Sequence, residues 1–576
     1  MDIDYKSQDA KFNKELCVKL PVGVSDFQKL IQGRYQFIDK SLFIKEIIND
    51  GAEVILITRP RRFGKTLNLS MLYHFLQMHS PHYSNLFKGL AIAEDVPFCQ
   101  KYQNQYPVIF LSFKDIKQSN YSDAYGDIVT LIKQLYSNHR YLLEGDLLHI
   151  DEKNTFTSIL NEKANLANIE GAIKQLSEYL TRKFNKPTII LIDEYDTPIQ
   201  EAYLEGYYSK MIKLMRNILG KALKDNPYLA KAIITGITKV SQESMFSGLN
   251  NIEVYSLLRE EYGQYFGFTE EEVRKLITET GKEVKLGAIK EWYNGYSVGR
   301  YVLYNPWSII NCLKQHGRLQ AYWVHTSSNS LINKLLSNAR PNIKRLFEKL
   351  LQGETVEQLL AENLAFPDIE TQADALWSLL LHAGYLNMLS GELSSGQLMA
   401  KLAIPNKEVS FVYDKIVSNW FSTAIDLETY QSFIQSLANG DIETFKSKLA
   451  EYIIQSGSYF DFNANTSEQV FHVFILGLVV GLREHYYIHS NQKSGLGRCD
   501  VIFMPRDKQR KGILLEFKVA KTVKLLTEKA QEGLQQIKDK QYIETFKHHN
   551  ISIVLAIGLA FCGQQVELAY EEMSLE

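Results

Sequence analysis

The sequence predicts an α/β chain of several domains: a parallel sheet with helices on both faces, a mostly helical region, and a second, smaller α/β domain. Three observations carry this. Short apolar runs rich in β-branched residues, Val54–Thr58, Val108–Phe113, Thr188–Ile192 and Ala232–Thr235, alternate with long segments of helical period, the pattern of parallel strands joined by crossover helices. From Gly267 to about Glu362 the pattern becomes mostly helical. The last part, roughly Asp461 to Leu568, reads as a helix, strands Cys499–Met504 and Gly512–Lys518, helix Thr527–Tyr542 and strand Ile551–Phe561.

With 576 residues the chain exceeds what one core fills. We divide it into a sheet domain over 1–265, a helical lid over 266–365, a connector over 366–455 and the second α/β domain over 456–576. Within the connector, ALWSLLLHAGYLNMLSGELSSGQLMAKLA reads as a helix, a strand, a Ser/Gly turn and a strand, which resembles a winged-helix unit.

A net charge of −2 exerts no global pull on nucleic acid or an anionic membrane, so any nucleic-acid site must be a local basic surface. The five cysteines are scattered without a CxxC pair, which argues against a disulfide framework or zinc ribbon and fits reduced thiols in a cytoplasmic setting. The opening MDIDYKSQDAKFNKELC carries charges throughout, so no export signal is expected. The most apolar stretches, Val473 to Leu482 and Ile551 to Gly563, are shorter than the roughly 20 residues of a membrane helix and read as core.

After the first strand comes Thr58-Arg59-Pro60-Arg61-Arg62-Phe63-Gly64-Lys65-Thr66 and then the helical run LNLSMLYHFLQM. This strand–loop–helix order suits a phosphate loop, whose backbone amides and helix N-terminus cradle phosphate. Lys65 would reach the β/γ-phosphates of ATP, and Thr66 would ligate Mg²⁺. Arg59 stands where a P-loop ordinarily begins with glycine, so a basic helix start without nucleotide is the alternative. The apolar run ending in Asp193-Glu194 shifts the balance, because Asp193 could hold Mg²⁺ and Glu194 could polarise an attacking water. In TGITK, Thr235 or Thr238 could sense a γ-phosphate. Arg61 and Arg62 add charge near the loop, although loop arginines are more often simply solvated.

In the C-terminal domain Asp500 opens one strand, and Glu516 and Lys518 lie two apart on the next, so the latter pair shares a face. Phosphodiester hydrolysis calls for a divalent metal on hard oxygen ligands and a nearby cation. Asp500 and Glu516 could supply the oxygens for Mg²⁺, or Mn²⁺ in its place. Glu468, on the preceding helix, could complete the set, and Lys518 could stabilise the charged phosphate. A lone ExK strand is usually structural; the order helix acid, strand acid, ExK strand, then a helix carrying Gln535 and Gln536 is what distinguishes this one. The charged turn Arg506–Lys511 and the lysines Lys521, Lys524 and Lys529 could track a phosphate backbone, or form a solvated hairpin. Tyr293, Tyr296 and Trp307 read as packing beneath the lid rather than as a base-stacking platform.

With these residues in place, the chain resembles the bacterial AAA-ATPase-like family whose members carry a C-terminal PD-(D/E)xK nuclease-superfamily domain. The resemblance rests on LPVGVSDFQKLI with YQFIDKSLFI, RPRRFGKT, LIDEYD, TGITKVSQESMFSGLNN, WYNGYSVG with LYNPWSI, PNKEV, GRCDVIF, LEFKVAK and QIKDKQY. It implies a P-loop AAA+-type ATPase with lid and winged-helix-like segment, and a nuclease-type α/β domain. It also implies that RPRRFGKT is the family's form of the phosphate loop, Arg59 included. Asp193 and Glu194 would form the second ATPase motif, and Asp500, Glu516 and Lys518 the nuclease motif; Asp196, the last acid of DEYD, receives no role. The expected partners are ATP and nucleic acid, DNA before RNA, with no membrane and with self-association into a homo-oligomer left open. The alternative is an ATPase switch or scaffold whose C-terminal domain binds nucleic acid or protein and cuts nothing.

Overall fold

The four apolar runs become β1 (Val54–Thr58), β2 (Val108–Ser112), β3 (Thr188–Asp193) and β4 (Leu229–Gly236), and a fifth strand, β5 (Ile252–Tyr255), is added at the edge. The order is β2-β3-β4-β1-β5, and every neighbouring pair is parallel. All residues of β1 and β3 are buried, as strands covered on both faces require. The edge strand escaped the sequence reading because its sequence, IEVY, is short and three of its four residues are only half-buried. Register aligns the C-terminal ends: Thr58 pairs with Gly236 and Ser112 with Asp193. A parallel sheet gathers its ligand-binding loops along such an edge.

The structure, a computed structural model, describes residues 19–78, 81–239, 251–282, 284–323, 330–337, 341–351, 353–361, 366–370, 372–394, 396–413, 427–455, 471, 474–475, 478–494, 497–547 and 549–575. Two units emerge, one of Met1–Leu335 with Glu357–Val409 and the other of Leu336–Val356 with Ser410–Glu576.

In the first unit the sheet is followed by helices Glu270–Thr280, Leu286–Tyr293 and Pro306–Lys314. Thr269 and Glu272 form a capping box at the first, and Asn305 caps the third through the Trp307 and Ser308 amides with Pro306 in the first turn. The region expected to be mostly helical also holds a hairpin, β6 (Tyr296–Val298) and β7 (Tyr301–Leu303). Its two-residue turn begins at Gly299, whose φ is +55°. Further on, helix Ala373–His382 leads into β9 (Asn387–Ser394) and β10 (Gln397–Ala403), and β8 (Val356–Leu360) pairs with β10. This is the helix, strand, turn and strand predicted for the winged-helix-like segment.

The second unit holds a mixed sheet of β11 (Tyr486–Ser494), β12 (Gly497–Pro505), β13 (Gly512–Val519), β14 (Ile553–Cys562) and β15 (Gln565–Ser574), in sequential order. Only β13 and β14 are parallel, and helix Leu526–Asp539 makes the crossover between them. Its apolar face, Ala530, Leu534 and Ile537, packs into one core with Ile502, Leu514, Val554 and Ala556. Among the described residues no helix is long and apolar enough to cross a membrane.

Candidate functional site

The phosphate loop joins β1 to helix Lys65–Leu76. Its last residue, Gly64, has φ +87° with nothing close to where a side chain would start, so glycine is required there by conformation and not by room. The helix begins without a side-chain cap, leaving its first amides to an anion. Lys65 is almost fully buried. Its Nζ donates to the carbonyls of Arg59 (3.1 Å) and Pro60 (3.2 Å) and lies 3.2 Å from a Glu194 carboxylate oxygen.

Asp193, at the end of β3, is fully buried. It accepts from Thr66 Oγ1 at 2.8 Å, Thr235 Oγ1 at 2.8 Å and Ser112 Oγ at 3.2 Å. Burial, and then the charge of Glu194, push its carboxyl above the usual range, against the two threonine hydroxyls and Lys65. Thr66 and Asp193 are hard oxygen donors within hydrogen-bond reach of each other, so they suit Mg²⁺. A cation there would offset the cost of burying the Asp193 charge.

A cavity of about 490 Å³ opens over these residues. Arg61, Arg62, Phe63, Gly64, Lys65, Thr66 and Glu194 line it, with Lys114 and Lys117 from the segment after β2. Val24, Ile38, Phe268, Leu276, Trp307 and Ile310 line it as well, so cationic and apolar groups share one cavity, as a nucleotide requires.

The remaining loop residues divide by role. The Arg59 side chain is fully buried and absent from the cavity lining. It donates to the carbonyls of Thr58, Tyr255 and Glu261, and burial brings its guanidinium down to about 9. The expectation of a nucleotide contact from Arg59 is therefore revised: its side chain binds the β1 end to the chain after β5. Pro60 does not line the cavity either; a side chain placed at Gly384 would meet its Cβ at 2.9 Å. Phe63 packs edge-on against Tyr296 with ring centroids 5.0 Å apart. Arg61 donates to Gln200 at 3.3 Å, and the Arg62 guanidinium stacks over Trp307 at 4.2 Å.

Neither Thr235 nor Thr238 lines the cavity; each hydroxyl instead donates to a buried carboxylate, Asp193 and Asp196 respectively. Tyr293 and Tyr296 are buried as expected, whereas Trp307 reaches the cavity. Sequence reasoning had no role for Lys114, Lys117 or the stretch around Val24 and Ile38. The signal for the last two was present in the motifs LPVGVSDFQKLI and YQFIDK, which carry no local phosphate-binding pattern.

In the second unit β12 and β13 run antiparallel with Val501 opposite Leu515, so the next step brings Asp500 to Glu516. The Asp500 amide donates to Glu516 at 3.4 Å, and the Phe517 amide donates to Asp500 at 2.7 Å. Lys518 Nζ lies 3.3 Å from Glu516 Oε1 and donates to the Phe517 carbonyl at 3.0 Å. Gln536, from the crossover helix, donates to the same Glu516 oxygen. Burial, and then Asp500, push the Glu516 carboxyl up to about 8, with Lys518 opposing. Two crowded carboxylates held beside one lysine suit a divalent cation. Glu468 lies outside the described residues; among the described residues no group of three or more His, Cys, Asp or Glu converges as a metal site.

Several basic residues near this domain are engaged. Arg506 stacks on Tyr487 at 4.0 Å, Lys511 pairs with Glu572 at 2.5 Å, and Lys529 pairs with Glu532. Lys521 and Lys524 are exposed on the turn after β13.

Comparison with known proteins matches two regions of the chain to families. Residues 21–246 match the family described as predicted AAA-ATPase, and residues 466–571 match the PD-(D/E)XK nuclease superfamily. An uncharacterized protein from the vnfD 5′ region of Azotobacter chroococcum mcd 1 is 26% identical over 568 residues, covering 94% of this chain and 96% of its own length. A Walker-type ATPase of Pyrococcus abyssi is 13% identical, with a TM-score of 0.35, over 66% of this chain and 96% of its own. The chain thus joins a region that matches the predicted AAA-ATPase-like family to a C-terminal region that matches the PD-(D/E)XK nuclease superfamily.

Proposed function

We propose that this protein binds and hydrolyses ATP in the first unit and thereby governs metal-dependent cleavage of nucleic acid, DNA in the first instance, by the second. The observation that carries the cleavage reading is the meeting of Asp500, Glu516 and Lys518 on adjacent strands, with Gln536 on the same carboxylate. On the nucleotide side, Lys65 would hold the β/γ-phosphates, with Arg61 and Arg62 at the cavity wall. Thr66 and Asp193 would hold Mg²⁺, and Glu194 would take the proton of the attacking water.

At the second site Asp500 and Glu516 would hold the metal, Mg²⁺ or Mn²⁺, which supplies charge neutralisation and an acidified water when bound. Lys518 places a cation beside the scissile phosphate, and Gln536 orients Glu516. The part of the helical region 266–365 that lies in the first unit would act as lid over the nucleotide. The cysteines described, Cys99, Cys312, Cys499 and Cys562, are all free thiols, which supports a cytoplasmic setting.

The test is incubation of the purified protein with supercoiled plasmid and Mg²⁺ or Mn²⁺, with and without ATP, beside Lys518→Ala. Nicking that needs Lys518 and rises or falls with ATP is expected. Cleavage that survives Lys518→Ala would overturn the site, and ATP hydrolysis without any cleavage would favour a non-cutting switch or scaffold.

A further inference from the structure

Asp196 is the N-cap residue of helix Thr197–Leu204, yet its side chain makes no capping bond to that helix's backbone amides, which an aspartate there ordinarily does. Instead it is fully buried and turned towards the chain after β4. One oxygen accepts from the Ile237 amide (2.9 Å), the Thr238 amide (3.0 Å), the Thr238 hydroxyl (3.2 Å) and Gln200 Nε2 (3.0 Å). Gln200 in turn accepts from Arg61 Nη2 at 3.3 Å. Its neighbour Tyr195 closes the same contact, with its amide on the Thr235 carbonyl (3.1 Å) and its hydroxyl on the Thr238 carbonyl (2.8 Å). Gly236 lies beneath: a Cβ there would meet the Tyr195 ring at 2.7 Å and the other Asp196 oxygen at 2.8 Å.

Between these anchors sits Glu194, whose φ of +51° is a left-handed conformation that non-glycine residues adopt only when their surroundings enforce it. Asp193 is fixed on one side of it by three hydroxyls. Tyr195 and Asp196 are fixed on the other side by the 235–238 turn.

We infer that Asp196 is a positioning residue for ATP hydrolysis, holding Glu194 in its strained turn and, through Gln200, presenting Arg61 to the phosphate end of the cavity. Asp196 does not line the cavity, so its effect is transmitted through residues that do. The inference rests on the hydrolysis reading above. It assigns Arg61 the part of a cation acting within its own chain on the terminal phosphate.

The experiment measures ATP hydrolysis and binding of a fluorescent ATP analogue in the full chain and in Asp196→Asn, Gln200→Leu, Arg61→Ala and the double variant Gln200→Leu/Arg61→Ala. Gln200→Leu keeps side-chain size, so it tests the link even if Asp196→Asn folds poorly. We expect kcat to fall roughly ten- to a hundredfold in each single variant with analogue affinity changed less than about threefold, since lost transition-state contacts act on kcat. The double variant should be no worse than Arg61→Ala alone, because both changes cut one chain of contacts. Full additivity in the double variant, or unchanged kcat in Gln200→Leu while the parent protein hydrolyses ATP, overturns the inference alone. A parent protein that binds the analogue and hydrolyses nothing overturns the hydrolysis reading and the inference with it.

Discussion

Lys65 Nζ lies 3.2 Å from Oε1 of Glu194, so the lysine expected to reach the β/γ-phosphates and the acid expected to polarise the attacking water are paired in the lining of one cavity. Two substitutions separate their roles. Lys65→Ala should abolish binding of an ATP analogue, since the loop carbonyls of Arg59 and Pro60 hold its ammonium at the start of the helix that faces the cavity. Glu194→Gln should retain binding and lose about a hundredfold or more in hydrolysis, the scale of a lost general base. Equal loss of binding in Glu194→Gln would mean that the acid serves mainly to place Lys65.

Arg59 offers a test of stability rather than binding. Its fork reaches the carbonyls of Thr58, Tyr255 and Glu261. Arg59→Leu should cost about 2–4 kcal/mol in urea unfolding, because the buried carbonyls of Thr58 and Tyr255 and the partly buried one of Glu261 lose their donor. Arg59→Lys should recover little of this, as one ammonium cannot span the fork.

Glu408 predicts a pH dependence. It is fully buried, accepts from Ser308 Oγ and the Trp323 amide at 2.7 Å each, and is pushed up to about 7 by burial against those bonds. Below about pH 4.5 it is protonated in both folded and unfolded chains. As pH rises through 7 the unfolded chain has already released a proton that the folded chain retains, so stability falls across that window. Glu408→Gln should flatten this dependence in thermal melts and exceed the parent above pH 7, by roughly 3 kcal/mol at the most. A parent protein whose melting temperature is level from pH 5 to 8 would contradict it.

Gly558 controls the distance between helix Leu526–Asp539 and β14. A Cβ there would meet the Ala530 carbonyl at 2.2 Å and the Leu534 amide at 2.5 Å, both backbone. Gly558→Ala should lift the helix and draw Gln536 away from Glu516, destabilising the second unit by about 1–3 kcal/mol as overpacking does. Plasmid cleavage should drop while ATP hydrolysis stays within about twofold, because the ATPase residues lie in the other unit. Parallel loss of both activities would count against separate sites.

Much of the architecture was legible in the residues. The runs at β1 to β4 and the ExK strand β13 are apolar and β-branched, and Gly64-Lys65-Thr66 directly follows one of them. Less visible were β5, β11 and β15. IEVY is short, while Tyr486–Ser494 and Gln565–Ser574 are rich in polar residues at positions that a sheet neighbour makes compatible with strand.

By itself the sequence determined the strand–loop–helix of the phosphate site, the acids ending β3 and the acid–acid–lysine set of β12 and β13, because spacing and turn chemistry act over a few residues. Tertiary structure decided which of these side chains face the cavity. It turned Arg59 into a buried clasp on Glu261, 202 residues away, and set Asp196 on the Thr238 amide 42 residues ahead. It also brought Trp307 to the cavity over the phosphate loop. Those assignments depend on where buried polar groups find partners across the folded core, and local periodicity carries no information about partners so distant.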